Sequence, residues 1–246
     1  MHKNITLKNG MKIGCESDLE KWRSDTFFTK EPETIYWIDC FEGNTTFFDV
    51  GANIGGYSIY SAFSKSNVDV YSFEPVNINF EIIKKNIEIN NLTNVYPFQI
   101  GISEAPKLTN LYLSDTREGN SGAQLDKPIN EFGKEFEVMD IQKIFCMSLD
   151  FAVYESNFPC PNYIKIDVDG LEGEIIDGAK KLICDERLKS ILIEFNVDQS
   201  KNNILETLID AGFTPDDKFN TMDNNSSVRR SKDSTNIARN MIYSRK

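Results

Sequence analysis

The hydrophobic pattern of this 246-residue chain changes period several times, and each change marks an element. Thr45–Val50 is an apolar run that stops at a loop of Gly51, Ala52, Asn53, Ile54, Gly55 and Gly56. A helical pattern follows over 56–65, then a second apolar run, Val68–Phe73, ending at Glu74-Pro75. Within Asn77–Asn91, the residues Phe80, Ile83, Ile87 and Asn91 mark one 3.6-period face, and Val95–Ile102 reads as a third strand. Such βαβαβ alternation predicts an α/β fold with a mostly parallel sheet, right-handed crossovers and helices on both faces.

The rhythm breaks over 104–147. Leu108–Leu113 alternates like a strand, Phe136–Met139 and Ile144–Met147 are further strand candidates, and the glycine-rich stretch Arg117–Ala123 lies between them. Long irregular stretches inside compact domains are usually functional, so this insertion is expected over the ligand end of the sheet. A short helix near Ser148–Ser156 follows, with Ser148 as N-cap, then strand Tyr163–Asp167 and helix Leu171–Cys184. Strand Ser190–Phe195 precedes helix Asn203–Ala211, which Gly212 stops. Phe213–Phe219 and Asn240–Ser244 are the last strand candidates, and the polar segment Thr221–Arg239 is expected to be a mobile loop. Upstream, Glu31-Pro32-Glu33 reads as a helix start whose apolar face is Ile35, Tyr36, Trp37, Ile38 and Phe41. Residues 1–44 are therefore expected to form a cap on a domain spanning 45–246, with Trp22, Phe27 and Phe28 as packing.

Composition narrows the partners. A hydrophobic share of 40% is enough for a core, while a formal net charge of −11 argues against a nucleic-acid backbone as partner. Five scattered cysteines without a CxxC pair read as reduced, mostly buried thiols, not a disulfide frame or zinc site. No apolar run approaches the roughly 20 residues of a membrane span. The N-terminal residues lack the apolar centre of a signal peptide, and a cytoplasmic location is expected.

Strand, glycine turn and helix in that order form a corner that grips phosphate or carboxylate. The dinucleotide fingerprint G-x-G-x-x-G needs its middle glycine for pyrophosphate approach, and Asn53 stands there instead. Asp49, two residues before Gly51, would repel a pyrophosphate but accept from an ammonium. S-adenosylmethionine has an α-ammonium, an α-carboxylate and no phosphate. Its carboxylate is expected on backbone N–H groups around Asn53–Gly55, and its ammonium on Asp49. Glu74, about 20 residues past the loop, suits the ribose hydroxyls of either cofactor.

The blocks FDVGANIGGYS, SFEP, IKIDVDGLEGEIIDGA and ILIEF resemble the FkbM-type S-adenosylmethionine-dependent methyltransferases, from about Phe47 to Phe195. The resemblance implies a Rossmann-like class I methyltransferase fold: a seven-stranded sheet whose last strand, here Asn240–Ser244, is inserted antiparallel. It also implies O-methylation of a hydroxyl on a sugar, glycan or natural product. By position, Asp49, Gly51, Asn53 and Gly55 would hold the methionine moiety, Glu74 the ribose, and Ile102 and Ser103 the adenine. Asp167 would lie near the methionine amine and the methyl acceptor. Glu172 matches the second acid of the DVEG block, in which Asp169 replaces a more usual Glu.

An alcohol acceptor needs help losing its proton. The single histidine, His2, lies at the terminus, which leaves Asp167, Asp169, Glu172, Glu194 or Lys165, with Asp167 and Glu172 as the catalytic candidates. Lys165 falls on the same strand side as Asp167, and a buried lysine needs an acid, for which Glu194 on the adjacent strand is the expected partner. Arg117, Asn120 and Ser121 are candidate acceptor contacts. Three alternatives remain: a Mg²⁺-assisted transferase using Asp167, Glu194 and Asn196, an NAD-dependent oxidoreductase, and a non-catalytic nucleotide-binding protein. The preferred reading requires no metal.

Overall fold

The computed structural model describes residues 4–130, 133–196, 204–220, 229–230 and 237–245. The first elements are β1 (Asn4–Thr6), β2 (Lys12–Gly14), α1 (Asp18–Lys30) and α2 (Pro32–Asp39). Then come β3 (Thr45–Val50), α3 (Gly56–Ser64), β4 (Val68–Phe73), α4 (Asn77–Ile89) and β5 (Val95–Phe98). The insertion holds β6 (Gly101–Ile102), β7 (Lys107–Leu113), β8 (Ala123–Leu125) and β9 (Asp140–Met147). After it follow α5 (Leu149–Tyr154), β10 (Tyr163–Ile166), α6 (Glu172–Asp177), β11 (Ser190–Asn196) and α7 (Ile204–Asp210). The chain closes with β12 (Thr214–Pro215), α8 (Asp217–Asn220), β13 (Arg229–Arg230) and β14 (Ile237–Ser244).

Seven strands run in the order β5-β4-β3-β10-β11-β14-β12, with β13 also pairing β14. β5, β4, β3, β10 and β11 are mutually parallel, and β14 is inserted antiparallel between β11 and β12. This is the expected seven-stranded, mostly parallel sheet with its reversed strand. Strand β3 shows why helices cover both faces. Phe47 joins Ile38, Ile59 and Ile82 on the α2–α3–α4 side, and Phe48 joins Leu149, Ile175 and Leu208 on the α5–α6–α7 side. A central strand buried on both faces must be apolar almost throughout.

Several boundaries differ from the expectations. Val95–Ile102 is two strands, because Gly101–Ile102 leaves the main sheet to pair with β9. A side chain on Gly101 would strike Cys146 Sγ at 2.6 Å, so the glycine permits the crossing. In the insertion, β7, β8, β9 and β6 make a second sheet. Its long strand begins at Asp140, where the alternation that buries Ile144 and Cys146 starts, and Phe136–Met139 stays outside it. The helix expected over Leu171–Cys184 ends at Asp177. Gly178 lies so close to the Ser103 carbonyl that a Cβ there would sit 2.5 Å away, and a 3₁₀ turn covers Leu182–Cys184. Phe213–Phe219 yields only the two-residue β12 before α8, since Pro215 cannot donate to a ladder. Of the expected loop Thr221–Arg239, residues 221–228 and 231–236 lie outside the described set, as does Asn203.

Helix α1 has no counterpart in the sequence reading. Its few apolar positions conceal it, yet Ser17 and Glu20 form a complete capping box at its start.

Gly51 holds the end of β3 against the end of β10. It has φ 78°, and a Cβ would run into the Asp167 carbonyl. Gly51→Ala is expected to cost at least about 2 kcal/mol of stability, from left-handed strain plus the collision, read as a lowered urea midpoint.

Candidate functional site

A cavity opens where the strands of a doubly wound sheet end, the usual ligand crevice of such folds. Asp49, Gly51, Asn53 and Tyr57 line its floor, Glu74 and Ile100–Ile102 one side, and Asp167 and Asp169 the other. Leu111 and Leu125 from the second sheet, with Asn120 and Ser121, close it from the insertion, while Ile13, Arg23, Phe27 and Lys30 close it from the N-terminal segment.

The turn after β3 is built from left-handed residues, with φ 78° at Gly51, 53° at Asn53 and 78° at Gly55. Asp49 is buried. Its Oδ2 accepts from the Ser58 hydroxyl at 2.6 Å, which in turn accepts from Ser72 at 2.7 Å. Its Oδ1 is equally buried and has no hydrogen-bond partner. Burial raises the Asp49 pKa, opposed by Lys165 and by Ser58. Glu74 is buried as well, with Oε2 accepting from the Asn53 N–H at 2.8 Å and Oε1 from the Val76 N–H at 3.0 Å. Burial pushes its pKa up to about 7 despite those donors.

Beside Asp49 lies a buried charge cluster. Lys165 Nζ donates to Asp167 Oδ2 at 2.7 Å and sits 5.2 Å from the centre of the Tyr57 ring. Burial alone would lower the Lys165 pKa, but the carboxylates of Asp167, Asp49 and Glu31 more than reverse this and raise it. Glu31 is itself buried and paired with Lys30. Lys30 and Lys165 outweigh its burial and hold its pKa below the usual range. The Tyr57 hydroxyl is hydrogen-bonded to Glu31, and burial together with Glu31 pushes its pKa well up. The expected Lys165–Glu194 pair therefore does not form. Asp167, two residues on from Lys165, takes the ammonium instead. Oxygens of Asp167, Asp169 and Glu194 come within 4.8 Å of one another.

The structure thus brings Asp49, Gly51, Asn53, Glu74 and Asp167 to one cavity, and places Gly55, Ser103 and Glu172 off its lining. Gly55 packs against Ile83, its absent side chain sparing a clash at 3.1 Å. Ser103 Oγ donates to the Ala105 carbonyl at 3.1 Å, and Ile100, Gly101 and Ile102 face the cavity in its stead. Glu172 Oε1 accepts from the Gly170 N–H at 3.1 Å, fixing the turn that presents Asp167 and Asp169; burial raises its pKa to about 7. The N–H groups expected to cradle a carboxylate are engaged: Asn53 with Glu74, Ile54 with Asn53 Oδ1, and Gly55 with the Ala52 carbonyl. Asn120 and Ser121 line the cavity, whereas the exposed Arg117 pairs with Asp115. Phe27 both packs against Tyr57 and lines the cavity, while Trp22 is 47% exposed. His2 and the Asn196 side chain lie outside the described set. The sequence reading missed Arg23 and Lys30 as cavity residues. The Ser17–Glu20 capping box, which announces α1, was the available signal.

The strand order, the reversed strand and a crevice lined by acids at the ends of β3, β4 and β10 define a Rossmann-like methyltransferase fold. More specifically, the chain belongs to the methyltransferase FkbM domain family, whose model matches residues 49–215. Methyltransferase 1 of Beauveria bassiana (strain ARSEF 2860) is 24% identical over 160 residues, covering 59% of this chain. The match covers 63% of that protein, so the chain spans under two thirds of this curated relative's length. The crystal structure of methyltransferase FkbM from Methylobacillus flagellatus KT superposes with a TM-score of 0.51 at 14% identity. That likeness covers 93% of this chain and 55% of the other, and speaks for the fold alone. No helix among the described residues is long and apolar enough to cross a membrane.

Glu74 and Glu172, both raised to about 7 in the folded protein from an ordinary 4.5, give the protein a defined pH response. Between those values the folded state holds protons that the unfolded chain releases, so stability falls as pH rises through 7. Melting temperature is expected to drop by a few degrees between about pH 5 and about pH 8, and Glu172→Gln to flatten that slope.

Proposed function

We propose that this chain is an S-adenosylmethionine-dependent methyltransferase that methylates a hydroxyl oxygen of a sugar, glycan or natural-product acceptor. The observation that carries the reading is Asp49 Oδ1, a buried carboxylate oxygen in the cavity wall with no hydrogen-bond partner. Such an atom is costly to leave unsatisfied, and an ammonium answers both its charge and its acceptor capacity. When bound, S-adenosylmethionine supplies a methyl group on a cationic sulfur. Asp49 would accept from its ammonium, Glu74 from its ribose hydroxyls, and the apolar side chains of Phe73, Ile100, Ile102 and Leu111 would flank its adenine.

Asp167, held by Lys165, is the carboxylate placed to orient an acceptor hydroxyl and take its proton. Glu172 acts one step back, by fixing the turn. The segment 1–44 works as a cap and the insertion as a cover, together excluding water from the transfer. The nature of the acceptor rests on the family resemblance, and the acidic surroundings of Asp167 and Asp169 favour a neutral, hydroxyl-rich one over an anion. Nucleic acid is not the expected substrate for a chain of net charge −11. The expected location is the cytoplasm.

A dinucleotide fits less well. The N–H groups of Asn53, Ile54 and Gly55 that would hold a pyrophosphate are already engaged, and Asp49 and Asp167 would repel it. A Mg²⁺-assisted variant draws on the approach of Asp167, Asp169 and Glu194. Against it, the Lys165 ammonium already neutralises Asp167 at 2.7 Å, where a second cation would be repelled.

Calorimetric titration is expected to show binding of S-adenosylmethionine and S-adenosylhomocysteine and none of NAD; the reverse pattern would sink the assignment. Asp49→Asn should weaken S-adenosylhomocysteine about tenfold or more, as loss of a charge-assisted hydrogen bond does. Millimolar Mg²⁺ is expected to leave the melting temperature unchanged, and a rise would favour the metal-assisted variant. Mass spectrometry of glycans and metabolites from a strain lacking the gene should reveal an acceptor lighter by one methylene.

A further inference from the structure

The amino-acid end of the proposed cofactor carries a carboxylate, and the glycine loop has no free donor for it at Asn53, Ile54 or Gly55. A charged partner for it would come from elsewhere on the cavity wall. Three cationic side chains line it: Arg23, Lys30 and Lys165. Lys165 is 2% exposed and gives its ammonium to Asp167 amid the charges of Asp49 and Glu31, whereas the Lys30 ammonium, though paired with Glu31, is 20% exposed. Arg23 donates Nε and Nη2 to the Gly119 carbonyl, at 3.0 and 2.7 Å, and its charge acts on Glu74, at the ribose end. Lys30 lies at the other end. Its ammonium touches Glu31, which neighbours Lys165 and Tyr57, on the Asp49 side of the cavity.

We infer that Lys30, at the C-terminal end of α1, binds the α-carboxylate of the cofactor. Ammonium and carboxylate of one amino-acid group would then be read by Asp49 and Lys30 respectively. The segment before residue 45, which the matched family region of 49–215 does not include, thereby completes the site. Lys30 is a binding residue here, with no part in proton transfer.

This inference rests on the S-adenosylmethionine reading, and two ligands separate the two claims. S-adenosylhomocysteine has the amino-acid end, and methylthioadenosine lacks it. Titrated into the full chain, Lys30→Met is expected to lose about tenfold or more in affinity for S-adenosylhomocysteine, with methylthioadenosine unchanged within about twofold. Lys30→Arg should retain most of the wild-type affinity for both. Equal losses for the two ligands would assign Lys30 to structure, and unchanged S-adenosylhomocysteine binding would remove it from the site; either overturns the inference. If Lys30→Met does not fold, Lys30→Gln is read by the same comparison. Wild-type protein that binds neither nucleoside overturns the cofactor reading itself, and this inference with it.

Discussion

An ammonium in the middle of a parallel sheet is tolerable only if carboxylates surround it, and Lys165 sets that condition for this molecule. Its strand supplies Asp167, the neighbouring strand supplies Asp49, and the N-terminal segment supplies Glu31. The last of these matters most for architecture. Glu31 is buried and paired with Lys30, its neighbour in sequence, and its charge also acts on Lys165. Docking the segment therefore completes the set of carboxylates around Lys165. The same event brings Arg23, Phe27 and Lys30 to the cavity.

The second half of the enclosure follows a similar logic with neutral groups. The Asn120 carbonyl accepts from Asn53 Nδ2 and Asn79 Nδ2, both at 3.0 Å, and Asn79 Oδ1 accepts from the Gly119 N–H at 2.9 Å. Asn53 thus works in two directions, its main chain on Glu74 and its side chain on the insertion. A glycine at that position would supply the φ of 53° at lower strain but lose the tether. The departure from the dinucleotide fingerprint is a fastening point, and it secures the insertion over Glu74.

The sheet was legible in the sequence because its strands are buried on both faces and read as apolar runs separated by helical periods. Asp49, Glu74 and Asp167 were legible because each is an acid at the carboxyl end of such a run. What escaped had physical reasons. Val95–Ile102 looks like one strand, and only the contact between Gly101 and Cys146 reveals that it changes sheets. Lys165 has its acid two residues on in its own chain, and no pattern discloses which of the nearby acids takes the ammonium. Helix α1 hides because Glu20 and Ser24 are two of its three buried residues and Arg23 and Lys30 line the cavity, so no apolar stripe announces it.

The two principal acids of the site differ in what they lack. Both oxygens of Glu74 are hydrogen-bonded within the protein, so ribose hydroxyls would add to an already satisfied carboxylate. Asp49 keeps one buried oxygen unsatisfied, a standing cost that only a donor in the cavity relieves. The fold tolerates that cost because Ser58, Ser72 and Lys165 fix and partly neutralise the carboxylate without filling its remaining site. Under the proposed function, such an arrangement would concentrate selectivity at the methionyl end of the cofactor. A ligand with a cationic amine regains the cost as binding energy, whereas a ligand without one leaves it in place. Discrimination between nucleotides then lies less in the glycine loop than in one oxygen atom held ready behind it.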